Sequence, residues 1–101
     1  MNVIETVRFA LTQGTSEQAA VAAWSGSLAF AKAQPGFISR RFAIGDDGTC
    51  IDEVTWADMD SAKAATAAFN PEAYPELGAL MSIIDMTTME MTHHTVKGHT
   101  D

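Results

Sequence analysis

The stretch from residue 50 to 69, CIDEVTWADMDSAKAATAAF, restricts the fold more than any other part of the sequence. It reads as a strand that ends on Trp56, turns once, and enters an alanine-rich helix. Asp58 stands where a helix N-cap belongs, and Ala62, Ala65 and Phe69 form the apolar stripe of the helix predicted over 59–69. Side chains this small let a helix sit close to a sheet.

Upstream, residues 2–12 alternate. Val3, Glu5, Val7, Phe9 and Leu11 share one face, and Ile4, Thr6, Arg8 and Ala10 the other, which is the period of a strand. Gln13-Gly14 breaks it, and Thr15-Ser16-Glu17-Gln18 fits a capping box with Thr15 as N-cap. The helix predicted from there reaches about Ala33, with Val21, Trp24, Leu28 and Ala31 as its buried stripe, and Pro35-Gly36 ends it. Residues 37–44 form a second strand, Gly45-Asp46-Asp47-Gly48 a tight turn, and residues 49–57 the third strand. A symmetric turn pairs Arg40 with Glu53, Arg41 with Asp52, Phe42 with Ile51 and Phe37 with Trp56, each pair stabilising by about 0.2–1 kcal/mol. Downstream, Asn70-Pro71 stops the alanine-rich helix, and Pro75 opens a short one whose stripe is Leu77, Leu80, Met81 and Ile84. Residues 86–96 read as a fourth strand and 97–101 as a frayed tail.

The order β-α-β-β-α-β is that of a ferredoxin-like α+β domain spanning 1–101, with a four-stranded antiparallel sheet. Right-handed crossovers put the helices on one face. The bare face is expected to carry Thr6, Arg8, Ile38, Arg40, Phe42, Ile51, Glu53, Thr55, Thr88, Glu90, Thr92 and His94. Ile38, Phe42 and Ile51 together are more apolar surface than a monomer commonly exposes, and the charges among them need partners if dried. That mixture suits a homodimer packed sheet to sheet around a wet interior. A sheet open to solvent is the alternative.

With 6 Lys and Arg against 13 Asp and Glu, the net charge of −7 argues against nucleic acid and against an anionic membrane surface. The single cysteine, Cys50, permits no intrachain disulfide and reads as an inert strand residue. The N-terminal stretch lacks a secretory pattern, and the longest apolar run, residues 19–24, is too short to span a bilayer, so a cytoplasmic location is expected.

The element order, Pro35-Gly36-Phe37 before the second strand, and a third strand ending on Trp56 before a helix resemble the dimeric α+β barrel superfamily, in particular its antibiotic-biosynthesis-monooxygenase type. The resemblance covers nearly the whole chain. It implies a homodimer whose sheets close into a barrel, with a small-molecule pocket between sheet and helices of each protomer. The group includes oxygenases that use no metal or flavin, haem-degrading enzymes and proteins without a known activity. In the haem-degrading branch, an asparagine, a tryptophan and a haem-ligating histidine would fall at Val7, at Trp56 and near Leu77-Gly78. Only the tryptophan matches, and no histidine precedes His93, so haem would lack its axial ligand. Among the cofactor-free quinol oxygenases Trp56 matches again, while a partner asparagine in the third strand is replaced by Asp52, an acceptor rather than a donor when ionised. The resemblance implies no cofactor, and no metal-ligand spacing is present.

Within that frame Trp56, Phe37 and Val7 are the expected lining of a pocket for a small apolar or aromatic ligand. Trp56 could equally be a core aromatic packed on Phe37 and Phe69. Trp24 reads as core. His93 and His94 alternate to opposite faces of the last strand, so they cannot share a metal, and if Met89 and Met91 face the helices, His93 joins Glu5 on that side. A Glu5–His93 pair is the expected base chemistry, against the alternative of an ordinary hydrogen-bonded strand histidine. Met81, Met86, Met89 and Met91 read as adaptable core filling. The functional expectation is a cofactor-independent monooxygenase-like enzyme for a small aromatic or polyketide-like substrate. The alternatives are a non-catalytic ligand-binding dimer and a purely structural one, in which side chains fill the space beside Trp56.

Overall fold

A computed structural model describes residues 1–100; Asp101, the end of the expected tail, lies outside the described residues. The elements are β1 (Val3–Phe9), α1 (Glu17–Gly26), α2 (Leu28–Ala33), β2 (Phe37–Ile44), β3 (Cys50–Trp56), α3 (Met59–Ala68), α4 (Pro75–Ser82) and β4 (Glu90–Thr95). The strands form one antiparallel sheet in the order β2-β3-β1-β4, the ferredoxin-like arrangement, with the helices on one face.

Local chemistry sets most boundaries as the sequence implied. Asp58 caps α3, its carboxylate accepting from the Ser61 N–H at 2.7 Å. Pro75 occupies the first turn of α4, where its missing N–H is harmless. The first helix departs from expectation in two ways. Its N-cap is Ser16, not Thr15, accepting from Ala19 N at 3.1 Å. It also breaks at Ser27, whose hydroxyl donates to the Trp24 carbonyl at 2.6 Å and competes with the helical ladder. The buried face then runs through Ala20, Ser27 and Ala31, and Val21, expected inside, is 46% exposed. The fourth strand starts late because residues 85–88 turn first. Asp85 accepts from the Thr87 and Thr88 N–H groups, and the Thr88 hydroxyl accepts from Ala10 N, which removes Thr88 from the bare sheet face.

The β2–β3 register corrects the symmetric-turn expectation. The connection is five residues, 45–49, with Gly48 at φ +84° and Gly45 N donating to Thr49 O. This shifts the pairing by one, so that Ile44 faces Cys50, Phe42 faces Asp52, Arg41 faces Glu53 and Arg40 faces Val54. A second irregularity between Phe37 and Ser39 cancels the shift, and Phe37 still faces Trp56. The expected pairs Arg40–Glu53, Arg41–Asp52 and Phe42–Ile51 are therefore absent, and Arg40 and Phe42 lie on the helix side, not on the bare face. Phe42 stacks between Phe9 and Trp24, with centroids at 6.2 and 5.7 Å. The opposite-charge logic survives with partners exchanged, since Arg41 bonds Glu53 on the open face and Arg40 bonds Asp52 beneath the helices.

The core divides into two clusters. One gathers Phe9, Ala20, Cys50, Leu80, Ile83 and Ile84. The other gathers Val3, Val54, Trp56, Ala62 and Ala65. Burial pushes the Cys50 thiol pKa up, which keeps it protonated and inert. No helix among the described residues is long and apolar enough to cross a membrane.

Candidate functional site

A cavity of about 240 Å³ separates sheet from helices and touches residues of both core clusters. Its floor is the helix-facing side of the central strands, with Glu5, Val7 and Phe9 from β1 and Asp52, Val54 and Trp56 from β3. Its roof is supplied by Phe30 of α2, Ala65 of α3, Phe69, and Leu77 and Leu80 of α4. Phe30 is held edge-on between Phe69 and Tyr74, with centroids at 5.9 and 5.2 Å, which ties α2 to the α3–α4 connection. The exposed lining residues Thr66, Met86 and Met91 mark the mouth, on the β4 side of the sheet. A wall of methionines there adapts to a guest more readily than branched side chains would.

The polar lining falls into two groups. Register places Arg40, Val54, Glu5 and His93 in one row across all four strands. Toward β4, Glu5 Oε2 accepts from His93 Nε2 at 2.9 Å and from the Thr66 hydroxyl at 3.4 Å. Glu5 is buried and the His93 side chain is a quarter exposed, so the pair bridges cavity and solvent.

Toward β2, Arg40 grips Asp52 with two nitrogens, Nε to Oδ1 at 3.0 Å and Nη2 to Oδ2 at 2.7 Å. Arg40 Nη1 donates to Ser27 Oγ at 2.8 Å, Trp24 Nε1 donates to Asp52 Oδ1 at 3.2 Å, and the guanidinium lies 5.1 Å from the Trp24 ring centroid. The alternation of β3 put Asp52 between two buried residues, where its carboxylate needs strong donors. The loop length decided which arginine answers, and no residue pattern revealed that length.

Of the residues singled out from sequence, Glu5, Val7 and Trp56 line the cavity. His93 stands behind Glu5, outside the lining. Phe37 packs edge-on against Trp56 at 5.9 Å and backs the wall without forming it. Trp24, read as core, is half-buried and belongs to the Arg40–Asp52 network. Trp56 is 3% exposed, and its indole N–H has no hydrogen-bond partner among the described residues. Such an orphan donor costs on the order of 1–3 kcal/mol, and Phe would avoid it. A dimer filled by its own side chains would leave no space beside Trp56.

No family model matches the sequence, and no curated protein matches it. Solved structures do. The cofactor-independent oxygenase SnoaB from Streptomyces nogalater superposes with a TM-score of 0.76 at 22% identity, over 97% of this chain and 95% of that one. The monooxygenase ActVA-Orf6 of Streptomyces coelicolor, solved in complex with nanaomycin D, gives 0.70 at 16% identity, over 98% and 90%. A candidate antibiotic biosynthesis monooxygenase from Chloroflexus aurantiacus gives 0.69 at 18% identity, over 99% and 98%. At these identities the likeness carries fold and not activity. The chain has the fold of the antibiotic-biosynthesis-monooxygenase type of α+β protein, as the resemblance in its sequence implied.

Proposed function

We propose that the protein is a cofactor-independent oxygenase of a small electron-rich aromatic, working as a homodimer. The observation that carries this reading is an apolar cavity that meets a His93-backed carboxylate, Glu5, beside a tryptophan with an unpartnered N–H. A cavity of about 240 Å³ is slightly below the ~300–1,000 Å³ of drug-sized sites, which suits two or three fused rings.

Glu5 takes the proton of a phenolic hydroxyl, and the His93 N–H steadies the carboxylate that does so. The phenolate is electron-rich enough to reduce dioxygen directly. Transfer of an electron and recombination place a peroxide on a ring carbon, and loss of water leaves the quinone. The balance is one phenol and one dioxygen to one quinone and one water, with every electron drawn from the ring. Desolvation of the phenolate by the apolar walls favours its oxidation. The Trp56 ring gives a flat surface for stacking, and a small rotation brings its N–H to a developing oxyanion.

Two features support the dimer. The sheet face away from the helices carries Ile4 and Ile51 beside the Arg41–Glu53 ion pair, and Ile38, in the β2 irregularity, is an exposed large apolar side chain. A chain of 101 residues also gains more from burying such a face than a large domain would. Oxygen consumption with anthrone or 1-naphthol tests the enzymatic reading. Wild type should exceed the spontaneous rate, and Glu5→Gln should lose roughly 10²–10⁴-fold of the excess, the usual worth of a positioned base. Binding of these compounds with no oxygen uptake above background would contradict it.

A further inference from the structure

We propose that the β2 end of the cavity is a second oxygen-recognising subsite, built on Arg40, that selects aromatics carrying two oxygens set apart across the ring system. This rests on the reading of the cavity as an aromatic-ligand site and adds the second point of recognition.

Arg40 is fixed before any ligand arrives. Asp52 holds two of its nitrogens and Ser27 the third, and its side chain is only 6% exposed. A guanidinium has five N–H groups. Three are used in these bonds, so Nη1 and Nη2 each keep one more, and Arg40 lines the cavity. A buried ion pair stabilises no better than apolar side chains of similar volume, so stability alone gives no reason for one in an otherwise apolar wall.

The character of the bound oxygen follows from the charges. Asp52 neutralises Arg40, and Glu5 lies further along the same row, so a formal carboxylate gains little there. A carbonyl or phenolic oxygen is the better guest. Arg40 and Glu5 sit two strands apart, on the order of 10 Å between backbones. A bicyclic or tricyclic ligand then places a hydroxyl at Glu5 and an acceptor oxygen at Arg40 together. A ligand with one oxygen satisfies one end only. In this chain Asp52 thereby acts as a positioning residue for the donor.

The test compares two compounds that differ by one carbonyl, 5-hydroxy-1-tetralone and 5,6,7,8-tetrahydro-1-naphthol, by titration calorimetry. Wild type should bind the ketone about tenfold more tightly or better, the worth of a hydrogen bond to a charged donor. In Arg40→Met/Asp52→Leu, which removes both charges, the affinity ratio should fall to about one. If that variant does not melt cooperatively, Arg40→Lys replaces it, and losing the fork should cut the ratio at least threefold. Wild type binding both compounds equally, or a ratio unchanged in the variant, overturns the Arg40 subsite and leaves the aromatic cavity standing. Wild type binding neither compound overturns the cavity reading and this one with it.

Discussion

A buried carboxylate needs strong hydrogen-bond donors, and Asp52 has Arg40 on both oxygens. Removing one partner strands the other. Asp52→Leu alone should destabilise by about 3–5 kcal/mol, because it leaves the guanidinium buried and unpaired, while Arg40→Met/Asp52→Leu should lie within about 1 kcal/mol of wild type or above it. Urea unfolding of wild type, the single variants and the double variant checks this, and additive losses would refute it. Alternation put Glu5 on the helix side, and His93 with it if Met89 and Met91 face the helices, and the strand order set β1 beside β4, so the Glu5–His93 contact was legible from period and topology together. Arg40 was misplaced because β2 carries two one-residue irregularities that cancel, one in the 45–49 loop and one near Ile38. Period says nothing about loop length, and a slip of one residue exchanges the faces of a strand.

Among the elements, α3 depends on how the chain enters it. Gly36 has φ +84°, a backbone that L side chains rarely adopt, and a Cβ there would overlap Ser61 in the first turn of α3. Its carbonyl also accepts from Ala57 N at 2.8 Å and so docks the β3–α3 junction. Gly36→Ala should therefore destabilise by roughly 1–3 kcal/mol, seen as a lowered urea midpoint; a midpoint equal to wild type would contradict this account. Acid should loosen the same junction. The Ser61 N–H holds the Asp58 carboxyl below its usual range, so the cap contributes fully above the ordinary carboxylate pKa and is lost as pH falls through the depressed one. Asp47, held by Thr49, acts in the same window. Melting temperatures from about pH 5 downward should fall less steeply in Asp58→Asn, which still caps but does not titrate. Matching slopes would sink that assignment. The four strands, α3 and α4 were legible because Asp58, Pro and Gly punctuate the sequence between them, although β4 starts four residues later than the period implied. The break at Ser27 was not, since a serine hydroxyl turning on its own helix leaves no periodic trace.

For the molecule as a whole, order and topology followed from the alternation of two periods along the chain, and the sheet order β2-β3-β1-β4 is the one that order implies. The cavity was not derivable from packing rules, because a gap between two core clusters depends on side-chain shape and not on pattern. The proposed dimer has a direct signature in mass. Sedimentation velocity at micromolar concentration should give a species of twice the chain mass, and a charge placed on the open face, Ile51→Glu, should shift it toward monomer. A monomeric wild type would rule the sheet-to-sheet assembly out.

If the space beside Trp56 receives an aromatic ligand, tryptophan fluorescence reports its arrival. Trp56 lines the cavity while Trp24 stands behind Arg40 and Asp52, so Trp56 should carry the larger part of the signal. Titration with 5-hydroxy-1-tetralone should give saturable quenching in wild type that is largely lost in Trp56→Phe. Absent quenching, or quenching of equal amplitude and midpoint in Trp56→Phe, would contradict the account.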